Sequence, residues 1–215
     1  MAADISDMEG KVAMGFRFQK APPNVTSQFS QDLKNAAFLG GGYEPRNEHH
    51  LPAYLLSLTD LIKLNPYDGI DGVVKHIAWQ CIATVAADTS KVALGDVTPV
   101  SPGPQTPADL FSGKVRTTSF SQGPIINNAY QKALALSTDL GGDTACDNGE
   151  PRALRIPGLL VTLFWIKAPP GGTDLVVPIN CQIPELKTQP KYTMQEFLTV
   201  AKGLAQHRLN LKTPD

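Results

Sequence analysis

Charge is scarce in this 215-residue chain, and no run of like charges occurs anywhere in it. Charged residues make up 18% of the sequence, below the roughly 25% typical of soluble domains. The 19 basic and 20 acidic residues leave a net charge of −1. Without a basic stripe, no nucleic-acid partner is expected. Long apolar runs are missing too. No stretch approaches the roughly 18 consecutive apolar residues that a membrane span requires. The start, Met1-Ala2-Ala3-Asp4-Ile5-Ser6-Asp7-Met8-Glu9, is acidic and has no apolar h-region, so no signal peptide is expected.

Cysteine is equally sparse. Cys81, Cys146 and Cys181 form an odd set with no close pair, which argues against a disulfide scaffold. A reducing, cytoplasmic setting is the default expectation. The phosphate-binding signatures of P-loops and dinucleotide folds are absent, as is the Gly-x-Ser-x-Gly nucleophile elbow. Gly40-Gly41-Gly42 and Gly141-Gly142 follow helix-like segments, where glycine serves as a C-cap. Asn24-Val25-Thr26 fits the N-glycosylation sequon, and chance explains so short a match.

What the sequence does have is apolar residues, 42% of the chain, and 18 prolines. Leu159 to Ile166 is an uncharged, β-rich run. It stops at Lys167-Ala168-Pro169-Pro170-Gly171-Gly172 and is followed by Leu175-Val176-Val177-Pro178-Ile179. Two such runs around a Pro/Gly turn predict a β-hairpin whose first strand is covered on both faces. Alternation over 11–19 predicts a half-buried strand, and 91–100 a further one. Helical spacing predicts helices over 27–39, 52–64, 70–87 and 124–136. A fifth helix, 193–208, opens with the capping box Thr193-Met194-Gln195-Glu196. Residues 43–50 and 141–155 read as polar loops. The expected fold is a single α+β domain over 1–215. It has an antiparallel or mixed sheet of about four strands (11–19, 91–100, 159–167, 174–180), packed with four to five helices. A proline-rich excursion lies near 99–107.

Candidate chemistry is thin. Glu44, Glu48, His49 and His50 could ligate a divalent ion, although adjacent side chains rarely converge on one. Asp143, Asp147 and Glu150 supply oxygen ligands suited to calcium, but Asp147-Asn148-Gly149 is a turn signal without any metal. Cys146 could pair with His49, His50, His76 or His207 as a nucleophile and base, though no local signature links them. Cys81 and Cys181 read as structural. Trp79, Trp165, Phe16, Phe18 and Phe164 read as core, with an apolar pocket as the alternative. Arg152 and Arg155 read as surface charges able to hold an anion. No cofactor is expected. Phe18-Gln19-Lys20-Ala21-Pro22-Pro23 echoes Trp165-Ile166-Lys167-Ala168-Pro169-Pro170, and coincidence accounts for it.

Low charge and proline-rich loops point to a non-enzymatic structural or assembly subunit that pairs with itself or with a protein partner. The alternative is a small enzyme or ligand-binding domain that uses the 43–50 and 141–155 loops through a metal or a Cys/His pair.

Overall fold

A computed structural model describes residues 16–35, 45–85, 88–100, 111–122, 148–181, 183–186 and 191–210. Residues 11–15 of the strand expected over 11–19, the helix over 124–136, the 101–107 excursion, and Glu44, Asp143, Cys146 and Asp147 lie outside them; of the described part of that strand Phe16 forms a single bridge and 17–19 are not strand. Among the described residues the regular structure is three α-helices and eight strands. The expected four-stranded sheet with four to five helices is therefore wrong in proportion. Strands dominate, and several segments read as helix or loop are strands.

The chain packs as two compact units. The first holds α1 (Pro23–Asn35), most of β1 (Pro45–Leu55), β2 (Lys75–Val85), β3 (Asp88–Pro99) and β4 (Val115–Gln122). Its strand order is β4-β3-β2-β1. The β2–β3 and β3–β4 pairs are antiparallel. Val25, Phe29 and Leu33 recur at helical spacing on α1 and are buried against Trp79, Cys81, Ala93 and Val97 of the sheet. The helix starts at Pro23, four residues before its expected start, because proline suits the first turn. Gly95 makes this packing possible. A Cβ there would stand 2.8 Å from a ring carbon of Phe29 and 3.1 Å from the Ser119 carbonyl.

The expected helix over 70–87 is replaced by β2. Its apolar stripe at helical spacing was accidental. Residues 78–83 are all buried, so the strand is covered on both faces and loses the alternation that marks a half-buried strand. The expected helix over 52–64 is likewise the end of β1 followed by the short α2 (Leu58–Lys63). Ser57 caps α2: its hydroxyl accepts from Asp60 N at 3.0 Å and donates to the Asp60 carboxylate at 2.6 Å.

The second unit holds α2, β5 (Glu150–Ile156), β6 (Val161–Lys167), β7 (Leu175–Cys181), β8 (Tyr192–Thr193) and α3 (Met194–Asn210), in strand order β5-β6-β7-β8. All three pairs are antiparallel. The expected hairpin is present as β6 and β7, with Trp165 opposite Val176 and Phe164 opposite Val177. The pairing slips between Thr162 and Leu163, beside Pro178, a residue that strands tolerate at such irregularities. On one face of β6, Leu163 and Trp165 pack with Phe197, Leu198 and Ala201 of α3. On the other, Phe164 meets Phe16 with ring centroids 6.1 Å apart. Phe16 bridges to Gly149 in parallel, and Arg17 N donates to the Gly149 carbonyl at 2.9 Å. The region 141–155, expected as a loop, contributes β5 from Glu150 onward.

The capping box of α3 forms as expected. Glu196 Oε2 accepts from both the backbone N and the hydroxyl of Thr193 at 2.8 Å, and Thr193 Oγ1 accepts from Glu196 N at 3.2 Å. Lys202 of α3 then donates to the carbonyl of Leu64 at the end of α2, at 2.9 Å.

Candidate functional sites

The segment that precedes α1, the start of that helix, and His49 and His50 of β1 line an open cleft of about 560 Å³. Both histidines belong to a strand and not to the polar loop expected over 43–50. The Phe18 ring stacks on the His49 ring, with centroids 4.5 Å apart and planes 29° from parallel. Burial, with a smaller contribution from neighbouring His50, holds the His49 imidazole below its ordinary pKa. Gln19, Lys20, Ala21, Pro23, Thr26 and Ser27 complete the lining. Lys20 is the single formally charged side chain among these residues.

His49 and His50 occupy consecutive positions of β1, and both border the cleft. Among the described residues, no group of three or more His, Cys, Asp and Glu side chains is placed to hold a metal. Glu150 is engaged elsewhere: its carboxylate accepts from Arg152 Nη2 at 3.0 Å. His76 packs against Trp79 and Phe111 in the first unit. His207 lies in the last turn of α3. Cys81 is fully buried in the core of the first unit, and Cys181 is half-buried with its thiol toward the Ile183 carbonyl.

Arg152 is not the free surface cation that the sequence suggested. Its side chain is 14% exposed. The guanidinium lies 4.7 Å from the Trp165 ring centroid and 5.2 Å from that of Tyr54, and it reaches the Asp71 carboxylate at 3.2 Å. Burial raises the Tyr54 pKa, with Arg152 opposing it. Lys167 binds the same Asp71 and lies 3.3 Å from Asp174. Burial works against the Lys167 charge, but the two carboxylates outweigh it and raise its pKa. Two carboxylates and two rings thus hold Arg152 through Nη1, Nη2 and the guanidinium face, while its buried Nε has no hydrogen-bond partner.

The sequon residue Asn24 is also occupied. It lies in the first turn of α1, and its amide nitrogen donates to the carbonyls of Phe111 at 2.7 Å and Gly113 at 2.8 Å. The repeated Lys-Ala-Pro-Pro string plays two different parts. The first copy leads into α1, and the second forms the hairpin turn after β6.

A second feature escaped the sequence altogether. The first two residues of the apolar run 159–166 are not in a strand. Leu159 closes a short 3-10 turn, Pro157–Leu159, and Leu160 follows in the left-handed region at φ +56°. Leu160 is 63% exposed. Leu159 is fully buried, Leu160 N donates to the Pro157 carbonyl at 3.0 Å, and Arg208 Nη1 donates to the Gly158 carbonyl at 2.7 Å. Gly158 fits tightly against Leu58, where any Cβ would collide. The turn is thus held from inside while Leu160 is displayed outside.

No family model matches this chain, and neither a curated protein nor a solved structure is significantly similar to it. Among the described residues, no helix is long and apolar enough to cross a membrane.

Proposed function

We propose that this chain is a non-enzymatic structural subunit that assembles through protein–protein contacts, first of all with copies of itself. The observation that carries this reading is Leu160. Left-handed backbone is unfavourable for a bulky, non-glycine residue, at about 1–3 kcal/mol. An isolated chain gains nothing from placing an exposed leucine there, where glycine or asparagine would sit without strain. Tyr67 and Val100 are also exposed, but lone apolar side chains on a surface are ordinary and neither has a left-handed backbone. Among the described residues, Leu160 is the exposed large apolar side chain that stands on left-handed backbone, on a turn fixed by Leu159, Gly158 and Arg208. A rigidly presented apolar side chain loses little conformational entropy when a partner covers it. Low overall charge adds to this, because copies repel one another weakly.

The test is sedimentation velocity with light scattering on the purified chain over a wide concentration range. Concentration-dependent oligomers are expected. A monomer throughout, at ordinary and low salt alike, removes the self-assembly reading.

A further inference from the structure

We infer that the cleft between the Phe18–Ser27 segment and β1 binds a small planar ligand carrying one negative charge. The inference is independent of the assembly reading. Its basis is a pair of stacked rings in the lining, a matched charge and a suitable size.

Phe18 and His49 both line the cleft, and their rings stack on each other, a stack that a further ring can extend. Such a stack favours an aromatic or conjugated ligand in offset stacking. Burial works against a charge on His49, so the stacked rings are not the source of an anion preference. The charge preference comes from the remaining lining. Lys20 is cationic, the hydroxyls of Thr26 and Ser27 can donate, and no carboxylate is among the lining residues. A ligand carboxylate in this cleft finds a cation and hydroxyl donors in the lining, with no acid opposing it. The volume of about 560 Å³ lies inside the roughly 300–1,000 Å³ range of small-molecule sites. Phe18 and His49 are 31 positions apart, so the stack is a tertiary feature of the first unit and not a local accident of the strand.

The test is a titration of the full chain with sodium benzoate and, separately, with benzyl alcohol, its uncharged counterpart, followed by amide NMR shifts. Benzoate is expected to move resonances of residues 18–27 and 49–50 and to bind more tightly than benzyl alcohol. Lys20 is exposed, so Lys20→Gln leaves the fold intact. It should weaken benzoate about fivefold, the upper range for an exposed charge pair, and leave benzyl alcohol unchanged. Phe18→Leu should weaken both probes while keeping an apolar side chain in place. The inference is overturned if benzoate leaves these resonances in place, if benzyl alcohol binds as tightly, or if Lys20→Gln binds benzoate like the parent chain.

Discussion

Trp165 Nε1 donates to Asp174 Oδ2 at 2.9 Å, tying the buried indole of β6 to the far side of its own hairpin turn. The same carboxylate accepts from Ala168 N at 2.9 Å, and the Asp174 carbonyl accepts from Met194 N, the first residue of α3, at 2.8 Å. One residue thus closes the turn, satisfies the indole and anchors a helix start. Asp174→Ala leaves the indole N–H and the Ala168 N–H without their acceptor. A loss of about 2–3 kcal/mol in unfolding free energy is expected, measured by urea denaturation. Asp174→Asn should cost less, since one amide oxygen still accepts.

Gly95 sets a second stability test. Gly95→Ala places a methyl against the Phe29 ring and the Ser119 carbonyl. The ring can shift but the carbonyl cannot follow easily. Expected is a loss of about 1–3 kcal/mol, as for other overpacked cores. Gly95→Ala combined with Phe29→Leu should recover part of that loss, and thermal melts of both variants check the pairing.

The α3 capping box gives a pH dependence. Hydrogen bonds from the backbone N and then the hydroxyl of Thr193 hold the Glu196 carboxyl below its ordinary pKa. A carboxyl whose pKa is lower in the folded chain stabilises the fold above its unfolded pKa, and that stability is lost as pH falls through the folded pKa. The N-terminal turn of α3 should therefore loosen on acidification below the ordinary glutamate range. Amide exchange of Gln195 to Leu198 would report it. Glu196→Gln, which cannot ionise, should keep the same protection factors, after correction for intrinsic exchange, across that range.

Asn24 yields a prediction against modification. Its amide nitrogen already serves two carbonyls, so the sequon should stay unglycosylated when the chain is folded in a glycosylating compartment. Mass spectrometry of the product checks this. Asn24→Ala should lower stability by about 1–2 kcal/mol through the orphaned carbonyls.

The parts of this fold legible in the sequence are those written in neighbouring residues. Pro169-Pro170-Gly171-Gly172 marks the β6–β7 turn, and Thr193 with Glu196 marks the start of α3. β2 was misread because burial on both faces erased its alternation and left an accidental helical stripe from Ile70 to Val85. β1 was hidden by its polar start and by Pro52, which reads equally well as the first turn of a helix. His49 and His50 stood out as chemistry, but nothing local announces that Phe18 stacks on one of them. Leu160 was invisible for the opposite reason. It sits inside a continuous apolar run, and only the backbone shows that the strand begins one residue later.

The most direct test of the assembly reading is Leu160→Asn, followed by sedimentation and by thermal unfolding on the same sample. Asparagine tolerates left-handed backbone and removes the displayed apolar side chain. The variant should sediment as a smaller species at concentrations where the parent chain oligomerises, with a melting temperature of its monomer equal to or above that of the parent. Unchanged oligomers in Leu160→Asn, or a monomeric parent chain, would contradict it.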